Sequence, residues 1–200
     1  MSRIKQSATI FLCLASLAGQ ARALNLTPLE VVTTVEGPPQ HRYYFQDADK
    51  RLGFRIDPKT TVNGSADAAT FRFTDSEPAS ARLLKSPAPP NVPFTGDGPK
   101  TYEALARTLL LSGVSKVQLI ESKPDAITIN GWTSLQFVFT YEWVGYSYTR
   151  TVTFLNFNAT EQFVWDVNSR TENYERVYAR SYRILNSIFE LPLTHETGPS

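Results

Sequence analysis

The sequence has one cysteine, Cys13, in 200 residues. No disulfide can form within the chain, and a thiolate nucleophile or a Cys-type zinc site would have to rest on that single residue. Histidine is almost as scarce. His41 and His195 are the only two, they lie far apart, and neither sits in a pattern that would orient it as a metal ligand or a general base. No apolar run reaches the about 20 residues needed to span a bilayer. Neither sign of charge dominates, with 20 basic against 19 acidic residues, which excludes an extended basic face for nucleic acid. The motifs of common chemistry are missing as well: there is no Gly-x-Ser-x-Gly elbow, no Gly-x-x-x-x-Gly-Lys-Ser/Thr loop and no Gly-x-Gly-x-x-Gly turn. Asp47-Ala48-Asp49 opens like a calcium loop, but Lys50, Arg51 and Leu52 stand where oxygen ligands and a glycine are needed.

What is present begins with an export leader. Arg3 and Lys5 supply a positive start, Ser7–Leu17 is a short apolar stretch, and Ala21-Arg22-Ala23 gives a small-x-small cleavage pattern. That order is the signature of a secretory signal peptide covering residues 1–23. Cutting after Ala23 leaves residues 24–200, the length of one ordinary domain. Cys13 and the only methionine go with the leader. The leader carries three of the 20 basic residues and none of the acidic ones, so the remainder has 17 against 19, a formal charge of −2. A cysteine-free exported chain fits bacterial secretion into the periplasm or beyond it.

Along residues 24–200, Thr27-Pro28 resembles a helix start, and a short helix is expected over Leu29–Val35. Arg42–Asp47 and Leu52–Asp57 read as strands, the second with Leu52, Phe54 and Ile56 alternating with Gly53 and Arg55. Asn63-Gly64-Ser65 marks a turn, and Ala69, Phe71 and Phe73 define a third strand. Pro78–Pro99 holds six prolines and is expected to be a long connecting loop rather than a central strand. Gly98-Pro99 opens a helix whose buried stripe is Tyr102, Leu105, Ala106, Leu109 and Leu110, with Gly113 as its C-terminal cap. Val117 and Leu119 precede a turn at Lys123-Pro124-Asp125, and Ile127 and Ile129 follow it. Trp132–Val144 and Tyr146–Phe154 form a long hairpin about Val144-Gly145, and Phe163, Trp165 and Val167 line a last strand. Ser169-Arg170-Thr171-Glu172 fits a capping box. A C-terminal helix follows with Tyr174, Val177, Tyr178, Ser181, Leu185 and Ile188 inward, helped by Ile184 and Phe189, and Pro192 stops it. Strands joined by short turns and outnumbering the helices argue for an antiparallel sheet with helices on its faces, an α+β fold.

The pattern closest to a site is Tyr146, Tyr148 and Arg150 on one face of the hairpin, near Tyr141 and Trp143. Rings beside a guanidinium can hold an apolar or anionic ligand by stacking and cation–π contact. The same residues can equally fill the core under a helix, with Arg150 reaching to the edge. No spacing pairs Glu142, Glu161, Asp166, Glu172 or Glu175 for acid–base work.

Gly131-Trp132, Tyr141-Glu142-Trp143-Val144-Gly145-Tyr146, Arg150-Thr151-Val152-Thr153-Phe154 and Tyr182–Phe189 follow one another as strand, aromatic hairpin and closing helix. Over roughly Thr101–Leu191 this resembles the PsbP-like family. The resemblance implies an α-β-α sandwich around an antiparallel sheet, and members that are mostly non-catalytic accessory or binding proteins. The combined expectation is an exported, non-enzymatic protein-binding or accessory domain of the bacterial cell envelope, needing no metal or cofactor, whose partner is another envelope or secreted protein. The alternative is a carrier of a small apolar or aromatic ligand held at Tyr146, Tyr148 and Arg150. A carrier calls for a cavity lined by those three residues; a protein-binding domain calls for their being enclosed, with an apolar patch elsewhere on the outside.

Overall fold

Alternating apolar and polar residues between Thr133 and Arg170 build the centre of the fold, because a two-residue period gives each strand one face per side of a sheet. The computed structural model describes residues 24–33, 39–46, 50–88, 92–159 and 161–191. In chain order these form β1 (Leu29–Thr33), β2 (Gln40–Gln46), β3 (Arg51–Phe54), β4 (Thr60–Gly64), β5 (Ala68–Phe73), β6 (Ser80–Lys85), α1 (Gly98–Thr108), β7 (Ser115–Pro124), β8 (Thr133–Trp143), β9 (Tyr146–Asn156), β10 (Gln162–Arg170), α2 (Tyr174–Asn186) and β11 (Phe189–Leu191). All pairings are antiparallel. The large sheet has the order β4-β5-β6-β10-β9-β8-β7 and the small one β1-β2-β3-β11. The described residues are thus mainly antiparallel sheet with two α-helices.

The centre of the large sheet is buried on both faces. On one, Tyr102 and Ala106 of α1 meet Phe137, Phe139, Val152, Phe154 and Val164. On the other, Val177, Ile184 and Leu185 of α2 share a cluster with Phe71, Trp165 and Val167 and with Phe45, Leu52 and Phe54 of the small sheet. The small sheet therefore lies on the α2 side. A run of rings ties it down: Phe45 to Phe54 at 4.6 Å, Phe54 to Phe71 at 5.6 Å and Phe71 to Trp165 at 5.4 Å between centroids.

Several expectations change. Leu29–Thr33 is a strand, not the start of a helix: three consecutive β-branched residues, Val31, Val32 and Thr33, favour the extended chain, and β2 offers a partner. The stretch from Pro78 to Pro99 is not one long loop. It contains β6, which sits inside the large sheet between β5 and β10. Pro78 and Pro87 flank β6, so no amide donor is missing from its ladder. Asn63 and Gly64 end β4, a strand not foreseen, and Ser65–Asp67 turn to β5. Lys123 and Pro124 end a ten-residue β7, while the segment holding Ile127 and Ile129 is not a strand; the Ile127 N–H instead donates to Ser134 Oγ at 2.9 Å. The capping box does not form: Ser169 stays in β10 with its hydroxyl donating to Arg170 O, a 3₁₀ turn spans Thr171–Asn173, and no side chain caps α2. Ile188 and Phe189 fall beyond the end of α2, Ile188 still buried and Phe189 in β11. The leader, the Asp47-Ala48-Asp49 turn, Pro192 and His195 lie outside the described residues. Among the described residues no helix is long and apolar enough to cross a membrane.

The hairpin turn is as expected, with a cost attached. Val144 and Gly145 connect Trp143 to its partner Tyr146, and both have positive φ, 49° and 78°, as a two-residue hairpin turn favours. A β-branched residue there is strained, and the Val144 side chain is exposed. Val144→Asn is therefore expected to stabilise the fold by about 1 kcal/mol, read as a higher urea midpoint; an unchanged or lower midpoint would show the turn to be relaxed.

Candidate functional site

The hairpin residues singled out by the sequence separate in space. Arg150 is 2% exposed and grips Asp166 with two bonds, Nε to Oδ1 and Nη2 to Oδ2, both 2.7 Å. The same carboxylate accepts from Arg82 Nε at 2.8 Å and Nη2 at 2.5 Å. Burial opposes the Arg150 charge, and the Asp166 carboxylate more than offsets it, so the guanidinium pKa is raised. Tyr148, 3% exposed, stacks on Tyr141 at 5.7 Å and meets the edge of Trp143. Tyr141 donates to Asn168 Oδ1 at 2.8 Å. Tyr146 stands apart, 50% exposed, with the Arg170 guanidinium 3.9 Å above its ring. Tyr148 and Arg150 are thus enclosed, and none of the three residues lines the grooves described below. Asp166 balances two guanidinium groups, and removing that charge strands both. Asp166→Asn is expected to cost about 3–5 kcal/mol in urea unfolding, whereas a cost below about 1 kcal/mol would mean solvent already screens the cluster.

A surface that the sequence reading did not single out gathers more unspent chemistry. The small sheet turns Phe45, Leu52 and Phe54 inward, so the alternate residues of each strand must face out. These outward residues line a groove of about 550 Å³ that includes Val31, Arg42, Tyr44, Arg51, Gly53, Arg55, Phe189 and Leu191. Across it, Leu29 pairs with Tyr44, Tyr44 with Gly53, and Gly53 with Phe189. Gly53 forms the floor: a Cβ there would come within 2.9 Å of Phe189 Cζ, so a larger residue would push the ring out. Leu29, Val31 and Phe189 remain 44%, 37% and 40% exposed. Arg51 lies over Tyr44 at 4.6 Å and donates to Gln46. Among the described residues Arg42, Arg51 and Arg55 make no ion pair, and no carboxylate lines the groove.

Arg55 also borders a second groove with Lys59, Arg176, Arg180 and Arg183 against Asp57 and Asp75. There Arg180 donates to both carboxylates. Burial works against the Asp57 charge, but Arg180, the Lys59 N–H and the Thr60 hydroxyl outweigh it and hold the carboxyl below its ordinary range. Since the folded pKa is depressed, this contribution is complete above the ordinary carboxylate value and is lost as pH falls through the lower folded one. Arg180→Ala is expected to lose most of its stability deficit relative to the parent as pH is lowered below about 4. A deficit constant with pH would assign the loss to packing on Phe73, over which Arg180 also lies.

The other polar gathering is a cleft of about 540 Å³ between β8 and α2, with Glu121, Lys123, Gln136, Thr149, Thr171, Tyr174 and Tyr178 among its lining. Much of its hydrogen bonding is internal: Gln136 donates to Tyr178 and Thr153, Thr149 to Thr171, and Tyr174 pairs with Thr151. Burial pushes the Tyr174 phenol up to about 12, which keeps it protonated. Among the described residues no three His, Cys, Asp or Glu side chains gather as metal ligands. His41 meets Glu30 at 2.5 Å on the surface.

The edges of the two sheets differ in how they are guarded. β11 is only three residues long. β7 carries two register shifts, with Lys116 and Lys123 along it. The end of β4 lies under the Leu24–Pro28 segment, with Leu26 O only 2.5 Å from where a Gly64 Cβ would be. These are familiar ways of preventing strand addition. β1 has none of them: it holds no lysine or proline, exposes Leu29, Val31 and Val32, and has no strand on its outer side among the described residues.

No protein-family model matches the sequence, and no curated protein matches it either. Among solved structures the chain is similar to a protein of unknown function, PA94, from Pseudomonas aeruginosa (TM-score 0.43, 10% identity, 82% of this chain and 98% of that one). It is also similar to LpqN of Mycobacterium tuberculosis, described as involved in cell envelope biogenesis (TM-score 0.44, 13% identity, 82% and 92%). A third is the cyanobacterial PsbP of Synechocystis (TM-score 0.40, 13% identity, 89% and 99%). The PsbP-like resemblance noted in the sequence thus has a counterpart among solved structures.

Proposed function

We propose that this chain is an exported, non-enzymatic accessory domain of the cell envelope that binds another protein through the outer face of its small sheet. The observation that carries the reading is the groove over Gly53, where exposed Val31 and Phe189 lie beside three arginines that have no ion-pair partner among the described residues. An apolar floor rewards burial. A charged rim that no carboxylate among the described residues satisfies favours an acidic partner and selects against a basic one. The unguarded β1 edge adds backbone hydrogen bonding, so the contact is best met by an extended, acidic segment of the partner laid along β1. A second copy of this chain is disfavoured at the same place, because it would bring two sets of arginines together.

Support for the compartment comes from the leader at residues 1–23. Support for protein binding over carriage of a small ligand comes from the enclosure of Tyr148 and Arg150, together with an apolar patch on the outside. A photoreactive benzoylphenylalanine at Val31 is expected to link the domain to a protein in intact cells, and Arg42→Glu with Arg55→Glu is expected to abolish the link. A yield at Val31 no higher than at exposed Ser122 of β7, or one that survives the charge reversal, would sink this reading. Crosslinks to lipid alone would replace it with a membrane-surface role.

A further inference from the structure

The first described residue, Leu24, is fully buried, as is Leu26, and both belong to the main apolar cluster. The Leu24 nitrogen donates to Glu161 Oε1 at 2.9 Å across 137 positions of sequence. That carboxylate is held from two more sides. Asn158 Nδ2 donates to Oε2 at 2.7 Å, Lys50 Nζ lies 3.6 Å from Oε2, and the Glu161 N–H returns a bond to Asn158 Oδ1 at 2.8 Å. Glu161 is therefore a fixed acceptor, with one oxygen turned to the nitrogen of the very residue at which the leader pattern places the cut.

We propose that leader removal completes an ion pair: cleavage between Ala23 and Leu24 turns an amide–carboxylate hydrogen bond into an ammonium–carboxylate pair that pins the mature N-terminus to Glu161. The step is a hydrolysis by a leader peptidase of the export machinery. The Ala23–Leu24 bond breaks, the water hydroxyl joins the Ala23 carbonyl carbon, and its proton goes to the Leu24 nitrogen. The proton of the new Ala23 carboxyl leaves, and the Leu24 amine is protonated at neutral pH. The product carries a charge where the precursor had a neutral donor, and hydrogen bonds to charged groups are worth roughly twice neutral ones. The pair couples the processed state to stability, since Leu24 and Leu26 hold the strand-side core only while the segment is docked. The cut position rests on the same leader that supports export, but the anchor is tested separately.

The groups facing the new ammonium are Glu161, in its favour, and Lys50, against it; Glu190 lines the groove that Lys50 and Asn158 share. An amine paired in this way has a raised pKa. Its contribution is then complete below the ordinary α-amino value of about 8 and is lost as pH rises through the higher folded value.

Two forms of the domain released from a removable N-terminal fusion test the anchor, one beginning at Leu24 and one a residue earlier, at Ala23. At pH 7 the Leu24 form is expected to have an unfolding constant about tenfold lower, with the difference gone in Glu161→Gln and shrinking above about pH 9. Equal stabilities, or a difference that persists in Glu161→Gln, would overturn the proposal. Should Glu161→Gln fail to fold, carbon-13 dimethylation of the Leu24 amine in the parent gives its titration by NMR. A value above that of an unstructured N-terminus supports the pair, and one at or below it overturns the pair. N-terminal sequencing of the protein from its native host reads the cut itself. A start elsewhere in the segment removes the premise of the anchor while leaving the export reading, an unprocessed start removes both, and a Leu24 start with equal stabilities removes the anchor alone.

Discussion

The small sheet exists because it can bury one face. Short strands need a buried apolar face to be stable, and what holds these four is the contact of Phe45 with Phe54, of Phe54 with Phe71 and, through it, with Trp165 of the large sheet. That contact also decides what faces solvent. With Phe45, Leu52 and Phe54 committed inward, the two-residue period leaves Arg42, Tyr44, Arg51, Gly53 and Arg55 outside, together with the residues paired beside them. Slipping β3 by one residue would bury arginines and expose phenylalanine, so the register is strongly specified. The groove is a consequence of the core: the same constraint that docks the sheet composes its outer surface.

Much of this was legible in the chain. The hairpin β8–β9, its turn at Val144-Gly145, the helix opening at Gly98-Pro99 and the inner stripe of α2 all follow from local pattern, because each pairs or packs with near neighbours in sequence. The failures came where a distant partner decided. Leu29–Thr33 had a helix-start signal at Thr27-Pro28, and only pairing with β2 made the β-branched run a strand. β6 was hidden between prolines, although its alternation of Ala81 and Leu83 with Arg82 and Leu84 carried the strand signal. The groove residues were visible as the polar half of the Leu52–Ile56 alternation. Nothing local distinguishes a solvated strand face from one rimmed by unpaired arginines; that required knowing that β11 comes back beside β3 and lays Phe189 over Gly53.

The two kinds of arginine in this fold illustrate the difference. Arg150 and Arg82 share Asp166, which is 1% exposed, and a charge buried that deeply must be paired. Arg180 divides itself between Asp57 and Asp75. These groups spend their charge on the fold, so Arg150, the residue of the aromatic hairpin that looked most like a ligand holder, is already occupied by a carboxylate of its own chain. Arg42 and Arg55 spend theirs on nothing within the described residues. On a chain whose overall balance is close to neutral, three guanidinium groups without an ion pair among the described residues, set over an apolar floor, are a local excess, and an excess of this kind is screened by salt unless a partner excludes the water.

Strand edges bring the same logic to the backbone. Blunting a sheet edge protects a protein against strand addition, and three of the four edges among the described residues are shortened, bulged or covered. Leaving the fourth open would be hazardous if its face were apolar throughout, since like edges would then pair and grow. The arginines beside β1 limit that outcome: they make self-association repulsive while leaving association with an acidic strand favourable. An open edge and a cationic groove are each ambiguous alone. Side by side they restrict the acceptable neighbour to a chain of opposite charge, which is how a small surface without deep enclosure can be selective.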